Sequence, residues 1–176
     1  MSKWIVDPDH SVAAFVVRHM MVANVRGQFN KISGTINFDP DDVAKSSVEV
    51  VIDASGIYTG IPKRDDHLRS PDFLDVEKFP HILFKSAYVA GAGENRLRIT
   101  GQLTIHGITK QVTLEADCTG PEKSPYGETS RGFTASVSIN REDYNIMWNE
   151  PLGSGGVMVG KEILITLEIE ADLQDK

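Results

Sequence analysis

Period-two alternation runs through most of the chain. In RLRITGQLTIH (96–106), Leu97, Ile99, Leu103 and Ile105 fall on one face, and Arg96, Arg98, Thr100, Gln102, Thr104 and His106 on the other. Residues 111–118 set Val112, Leu114, Ala116 and Cys118 against Thr113, Glu115 and Asp117. Residues 131–140 set Phe133, Ala135, Val137 and Ile139 against Thr134, Ser136, Ser138 and Asn140. Residues 162–172 set Ile163, Ile165, Leu167, Ile169 and Ala171 against Thr166, Glu168, Glu170 and Asp172. This is the pattern of half-buried antiparallel strands. Weaker versions occupy 3–7, 11–19, 27–38, 46–53 and 82–89. Within 27–38 the apolar face changes parity, from Phe29 to Ile32, Ile36 and Phe38, which predicts a bulge near Asn30-Lys31. Turn formers separate the runs at Asp39-Pro40-Asp41-Asp42, Gly91 to Asn95, and His106-Gly107. Short strands without a βαβ rhythm predict an all-β sandwich or an up-and-down barrel.

Three segments interrupt the rhythm: 60–80, a polar stretch at 119–131 that reads as a loop, and 141–161, which mixes aromatic, apolar and glycine residues. The first contains RDDHLRSPDFLD (64–75), with four aspartates, two arginines and a histidine. It reads as an acid–base cluster or as a capped helix. Pro62 suits a first helical position, and Asp65 and Arg69 have i, i+4 spacing. Ser70 would cap a restarted helix, with Phe73 and Leu74 packing downward.

Composition narrows the chemistry. The 176 residues are 40% hydrophobic and carry a formal net charge of −7, which fits a single domain over 1–176. The negative balance argues against nucleic acid or anionic membrane surfaces as the main partner. The opening MSKWIVDPDH lacks a leader-like apolar run. No stretch approaches the ~20 apolar residues of a membrane span. The expectation is a cytoplasmic chain with no integral membrane insertion. Cys118 is the single cysteine and sits on the apolar face of its strand, as a core residue. None of the five histidines has helical metal-ligand spacing, and there is no GxSxG. No catalytic residue, metal or cofactor is therefore assigned. Nine strand-like segments suffice for a barrel of about eight strands. Its inward set, including Ala13, Val48, Val50, Ile52, Ala116, Cys118, Ala135 and Val137, is modest in size. Patterning leaves both a hollow barrel and a packed sandwich open.

Seven segments in order carry a resemblance: WIVDPDHS with FVVRH behind it (4–19), GQF (27–29), IYTGIPKRDDHLRSPDF (57–73), FPHILFKS (79–86), GQLTIHGITKQV (101–112), GFTASVSINREDY (132–144) and VGKEILITLEIE (159–170). The sequence resembles the YceI-like family of polyisoprenoid-binding proteins. The resemblance implies a lipocalin-like, eight-stranded antiparallel β-barrel with a short helical insertion at about 61–75, after the fourth strand. It also implies a homodimer, and non-enzymatic binding, transport or storage of a long-chain isoprenoid or other lipid. The inward faces then assign a tail channel to Phe15, Val17, Phe29, Ile36, Phe38, Val50, Ile52, Phe84, Ile99, Leu103, Leu114, Phe133, Val137 and Ile165. A polar head group would want donors at the mouth. The candidates are Arg18, His19, Arg64 and His67, with Arg141 and Trp148 from the long loop. A structural salt bridge is the alternative for each arginine. Two rival readings are a barrel-pocket enzyme using His67 with Asp66 or Asp72, which requires those groups inside the cavity, and a packed β domain for protein interaction, which requires no cavity.

Overall fold

The computed structural model describes residues 1–174. Its first strands are β1 (Ser2–Val6), β2 (Val12–His19), β3 (Ala23–Phe29) and β4 (Ile32–Phe38), followed by β5 (Ser47–Asp53), the two-residue β6 (Ile57–Tyr58) and helix α1 (Pro62–Arg69). Five long strands complete the chain: β7 (His81–Gly93), β8 (Arg96–Ile105), β9 (Ile108–Lys123), β10 (Thr129–Asn140) and β11 (Val159–Leu173). All pairings are antiparallel, and sequence neighbours lie side by side from β4 and β5 through β7 to β11. β11 closes the ring. Its C-terminal end pairs with β1 (Val6↔Ala171) and its middle with β2 (Ala13↔Leu167). Taking β1–β2 as one interrupted stave and β3–β4 as another gives a closed eight-stranded barrel. The helix follows the third stave and the two-residue β6.

Both interruptions have local causes. Pro8 has no N–H to give a ladder. Asp7 accepts from the amide of Asp9 (2.8 Å) and starts a 3₁₀ turn over Pro8–His10. The inward parity is even before this turn (Trp4, Val6) and odd after it (Ala13). The expected irregularity at Asn30-Lys31 is a full strand break. Phe29 and Ile32 are both buried across it, and the Lys31 carbonyl accepts from Asp53 N (3.0 Å). β3 therefore pairs with β2 while β4 pairs with β1.

Two expectations change. The polar stretch 119–131 is mostly strand, because β9 runs to Lys123 and β10 begins at Thr129, with a register shift between Ser130 and Gly132. Side chains that are polar on both faces hid a pairing made by the backbone. Ser70 ends α1 and does not start a second helix. Its hydroxyl donates to the His67 carbonyl (2.7 Å), and its carbonyl accepts from Phe73 N (3.0 Å) and Asp75 N (2.9 Å) in a run of turns.

Burial is graded along the barrel. At the end formed by β1, the start of β10 and the end of β11, the inward residues Trp4, Val6, Phe38, Leu97, Ala116, Phe133 and Ala171 are fully buried. Towards the other end, inward apolar residues such as Phe15, Val17, Val137, Ile163 and Ile165 keep partial exposure. That exposure faces the interior, because these side chains line a cavity. Close backbone packing sets the wall around it. A Cβ on Gly101 would sit 2.4 Å from the Lys85 carbonyl oxygen and 2.8 Å from Ser86 Cα, where β7 shifts register. Gly101→Ala is expected to lower stability by about 1–3 kcal/mol, measured by urea unfolding. Gly153→Ala, at a site with open space around it, is the neutral control, and equal stability of the two would contradict this packing.

Candidate ligand-binding cavity

The cavity occupies about 220 Å³ inside the barrel, many times the space one water needs. Its wall is built by the inward residues of every stave. All fourteen side chains assigned to a tail channel from the sequence line it. Among its lining residues only Ser46, Arg141 and Tyr144 carry polar side-chain atoms. Ser46 Oγ already accepts from Asp39 N (3.1 Å). The interior is therefore a surface that water cannot satisfy and a hydrocarbon can.

One end of the barrel is capped by the insertion. Leu68, Phe73 and Leu74 point into the cavity, and the latter two are buried. The charged residues between them brace this cap. Arg64 donates to the Thr59 hydroxyl (2.7 Å) and carbonyl (2.9 Å). Asp65 is buried and accepts from Thr59 N (2.9 Å) and from the Thr59 hydroxyl. Arg69 donates to the carbonyls of Ser55 (2.8 Å) and Ile57 (2.9 Å) and pairs with Asp66, not Asp65. His67 Nε2 bonds Asp72 (2.8 Å) on the outside, and its ring meets Phe73 and Trp148 edge-on at 5.0 and 4.9 Å. Trp148 also packs on Phe73 at 5.3 Å. An aromatic cluster thus joins the insertion to the long loop.

Of the six head-group candidates, Arg141 alone lines the cavity. Arg18 faces outward and donates to the Met21 carbonyl (3.2 Å) and to Asn24 (3.4 Å). His19 ends β2 opposite Val159 and Ala23. Arg64, His67 and Trp148 belong to the cap. Asp66 and Asp72, the carboxylates proposed for an enzyme, are likewise outside the wall, paired with Arg69 and His67. The sequence reading did not place Leu68, Phe73, Leu74, Tyr144 and Ile146 in the lining. Their signal was apolar residues embedded in otherwise polar connections.

Arg141 is 3% exposed and is not ion-paired with any carboxylate among the described residues. Its guanidinium donates to the carbonyls of Ile146 (2.7 Å), Gly160 (2.8 Å) and Val159 (3.2 Å). Burial pulls its pKa down, yet a guanidinium stays charged in proteins. Three carbonyl dipoles offset part of the cost of this buried cation, and an anion beside it would offset more. The arginine also shapes the 141–158 loop, together with Asn149, whose amide exchanges bonds with Val159 N (2.9 Å) and O (2.8 Å). A separate surface group, Asp7, His10 and Glu170, has donor atoms within 4.8 Å of one another. It is accounted for by the capping role of Asp7 and its bond to His10 Nδ1 (2.6 Å), which lowers the Asp7 pKa and raises that of His10.

Tyr144 lines the cavity at 2% exposure, and its hydroxyl has no hydrogen-bond partner among the described residues. Burial pushes its pKa up to about 12. The neutral phenol is the form the fold holds. This contribution is complete below the unfolded value near 10 and is lost as pH rises towards 12, by up to about 2–3 kcal/mol. Tyr144→Phe is expected to leave stability at neutral pH unchanged or higher, since it removes an unpaired buried hydroxyl. It should also flatten the loss between pH 10 and 12 in chemical unfolding; the same alkaline loss in the variant would contradict this placement.

Comparison with known proteins is consistent along the whole barrel. Residues 4–171 match the YceI-like domain. A UPF0312 protein of Vibrio parahaemolyticus is 36% identical over 137 residues, covering 78% of this chain and 72% of its own length. A UPF0312 protein of Staphylococcus aureus is 33% identical over 176 residues, 99% of this chain and 100% of its own. The crystal structure of Burkholderia cenocepacia BcnA superposes with a TM-score of 0.83 at 26% identity, over 94% of this chain and 98% of that one. A polyisoprenoid binding domain from Saccharophagus degradans shares the fold, with a TM-score of 0.75 at 12% identity over 99% of this chain and 100% of that one. A closed barrel with an apolar interior and a sequence match from Trp4 to Ala171 place this chain in the YceI-like family.

Proposed function

We propose that this protein binds a single-chain lipid, an isoprenoid or similar long apolar molecule, without catalysing a reaction on it. The observation that carries this reading is the apolar cavity inside the barrel. Each CH₂ transferred from water to such a wall contributes roughly 0.8 kcal/mol, against the ordering cost of association. No specific polar code is needed for a tail, in keeping with the scarcity of polar atoms in the wall. The description of the Saccharophagus degradans domain as polyisoprenoid-binding supports the same ligand class. Arg141 is the group suited to an anionic head. The enzyme reading loses its support because His67, Asp66 and Asp72 do not line the cavity. The packed-domain reading requires an interior without a cavity. The homodimer stays part of this reading on family resemblance.

Titration with geranylgeranyl phosphate tests the proposal, using displacement of the fluorescent polyene cis-parinaric acid as the readout. Saturable binding at one site is expected, tighter than for the corresponding alcohol. Ile165→Trp, which places an indole in the cavity from the middle of β11, should weaken binding at least tenfold, about 1.4 kcal/mol or more, with unchanged thermal stability. No binding by the native protein, or equal binding by the filled variant, would overturn the reading.

A further inference from the structure

The barrel wall has an unpaired seam. The β9–β10 ladder runs from Thr129↔Lys123 to Ser136↔Glu115 and stops there. Beyond it both strands continue, but each is bonded on its far side alone. β9 stays paired to β8 from Leu114↔Ile99 to Ile108↔Ile105. β10 stays paired to β11 from Val137↔Ile165 to Asn140↔Glu162. Neither sequence explains the gap, since Val112, Leu114, Val137 and Ile139 keep the inward alternation. Four residues of β10 (137–140) and seven of β9 (108–114) lack this ladder, and the four opposed positions make a slot about 13 Å long. A surface pocket fills it, with Lys110, Gln111 and Thr113 on one lip and Ser138 and Asn140 on the other. Val137, Ile139 and Tyr144 belong to this pocket and to the cavity wall alike. The slot therefore adjoins the interior directly.

Both ends of the barrel are crowded by packed side chains. At one end Leu68, Phe73 and Leu74 line the cavity, with Trp148 packed on Phe73. At the other, Phe38 meets Phe133 edge-on at 5.8 Å, and the Arg131 guanidinium stacks on Phe38 and Trp4 at 5.0 and 5.5 Å. Opening either end would break several aromatic contacts at once. The slot needs much less. Its upper end is covered by the turn Arg141–Tyr144, tied to the β8–β9 hairpin by a bond between His106 Nδ1 and the Tyr144 carbonyl (3.1 Å). That bond uses the Tyr144 backbone. The Tyr144 side chain is held by packing, because its hydroxyl has no partner among the described residues, so rotating it breaks none of their hydrogen bonds. The lips also suit an amphiphile. Unpaired backbone N–H and C=O groups face the slot and require polar partners, while the apolar chain meets Val137 and Ile139 just inside. Arg141 follows the last residue of β10, but its guanidinium lies in the cavity wall on the β11 side, held by the carbonyls of Ile146, Val159 and Gly160, so it is reached from inside and not at the slot.

We propose that the slot between β9 and β10 is the portal through which the apolar chain of a single-chain amphiphile enters and leaves the cavity, with Tyr144 as its gate. This rests on the lipid-binding reading above.

Thr113 and Ser138 are exposed on opposite lips, two residues beyond the last pair, Ser136↔Glu115. In a Cys118→Ala background, the double variant Thr113→Cys, Ser138→Cys is bridged with a short bis-methanethiosulfonate reagent, and bridging is verified by intact mass. Uptake of cis-parinaric acid is then followed by stopped-flow fluorescence. Bridging is expected to slow uptake and release at least tenfold, with reductant restoring both. The same bridge across Thr134→Cys and Glu168→Cys, a fully laddered pair, should leave both rates unchanged. Tyr144→Ala, without any bridge, should accelerate exchange severalfold. A bridged protein that exchanges ligand at the unbridged rate overturns the portal, as does an unchanged rate in Tyr144→Ala. Absence of binding in the unbridged native protein is a different result, which removes the lipid-binding reading itself.

Discussion

The structure depends on one closure. β11 bonds β10 along one edge and, along the other, bonds β2 and then β1. That double pairing turns a meander of hairpins into a barrel with an inside. Circumference is then fixed by backbone geometry, while the filling is left to whatever side chains point inward. Near Trp4 and Phe133 those side chains are large enough to meet. Around Val50, Ala135, Val137 and Ile165 they are not, and the cavity is the volume left over. A packed core would have needed bulkier residues at these positions, because interiors tolerate few voids larger than water. The void is costly unless something apolar fills it, which links the architecture to the ligand class.

The same closure explains where the charges go. A barrel end exposes backbone groups and apolar side chains together, and both must be covered. RDDHLRSPDFLD does this with its ions turned away from the cavity and its apolar residues turned into it. Arg64 and Arg69 hold carbonyls of residues 55–59, Asp65 holds Thr59, and Phe73 and Leu74 form the ceiling. The stretch is chemically rich because it is a brace. Arg141 is the exception, a cation carried into the wall and fixed by three carbonyls.

The barrel wall was legible in the sequence because alternation has a fixed period. Once strands are assigned, parity decides which residues face inward, so Phe15, Phe84, Leu103 and Ile165 could be named without a structure. The two parity breaks were half visible: the change from Phe29 to Ile32 was plain, whereas the switch across Asp7–Ser11 passed inside a proline turn. The head-group candidates were not legible. An arginine's partner is set by tertiary distance, and the carbonyls that hold Arg141 come from residues 146, 159 and 160, while Arg64 is satisfied by the adjacent Thr59. The unpaired seam left no trace, since Val137 and Ile139 alternate identically whether or not β9 is bonded alongside.

The lipid-binding account stands or falls on what the cavity holds. Native mass spectrometry of protein expressed and purified without added lipid measures this directly. We expect a fraction of molecules to carry one extra mass of a single-chain lipid, released by organic solvent and absent from Ile165→Trp. Protein that is uniformly at its bare mass, and that stays so after incubation with polyprenyl phosphates and fatty acids, would contradict the account.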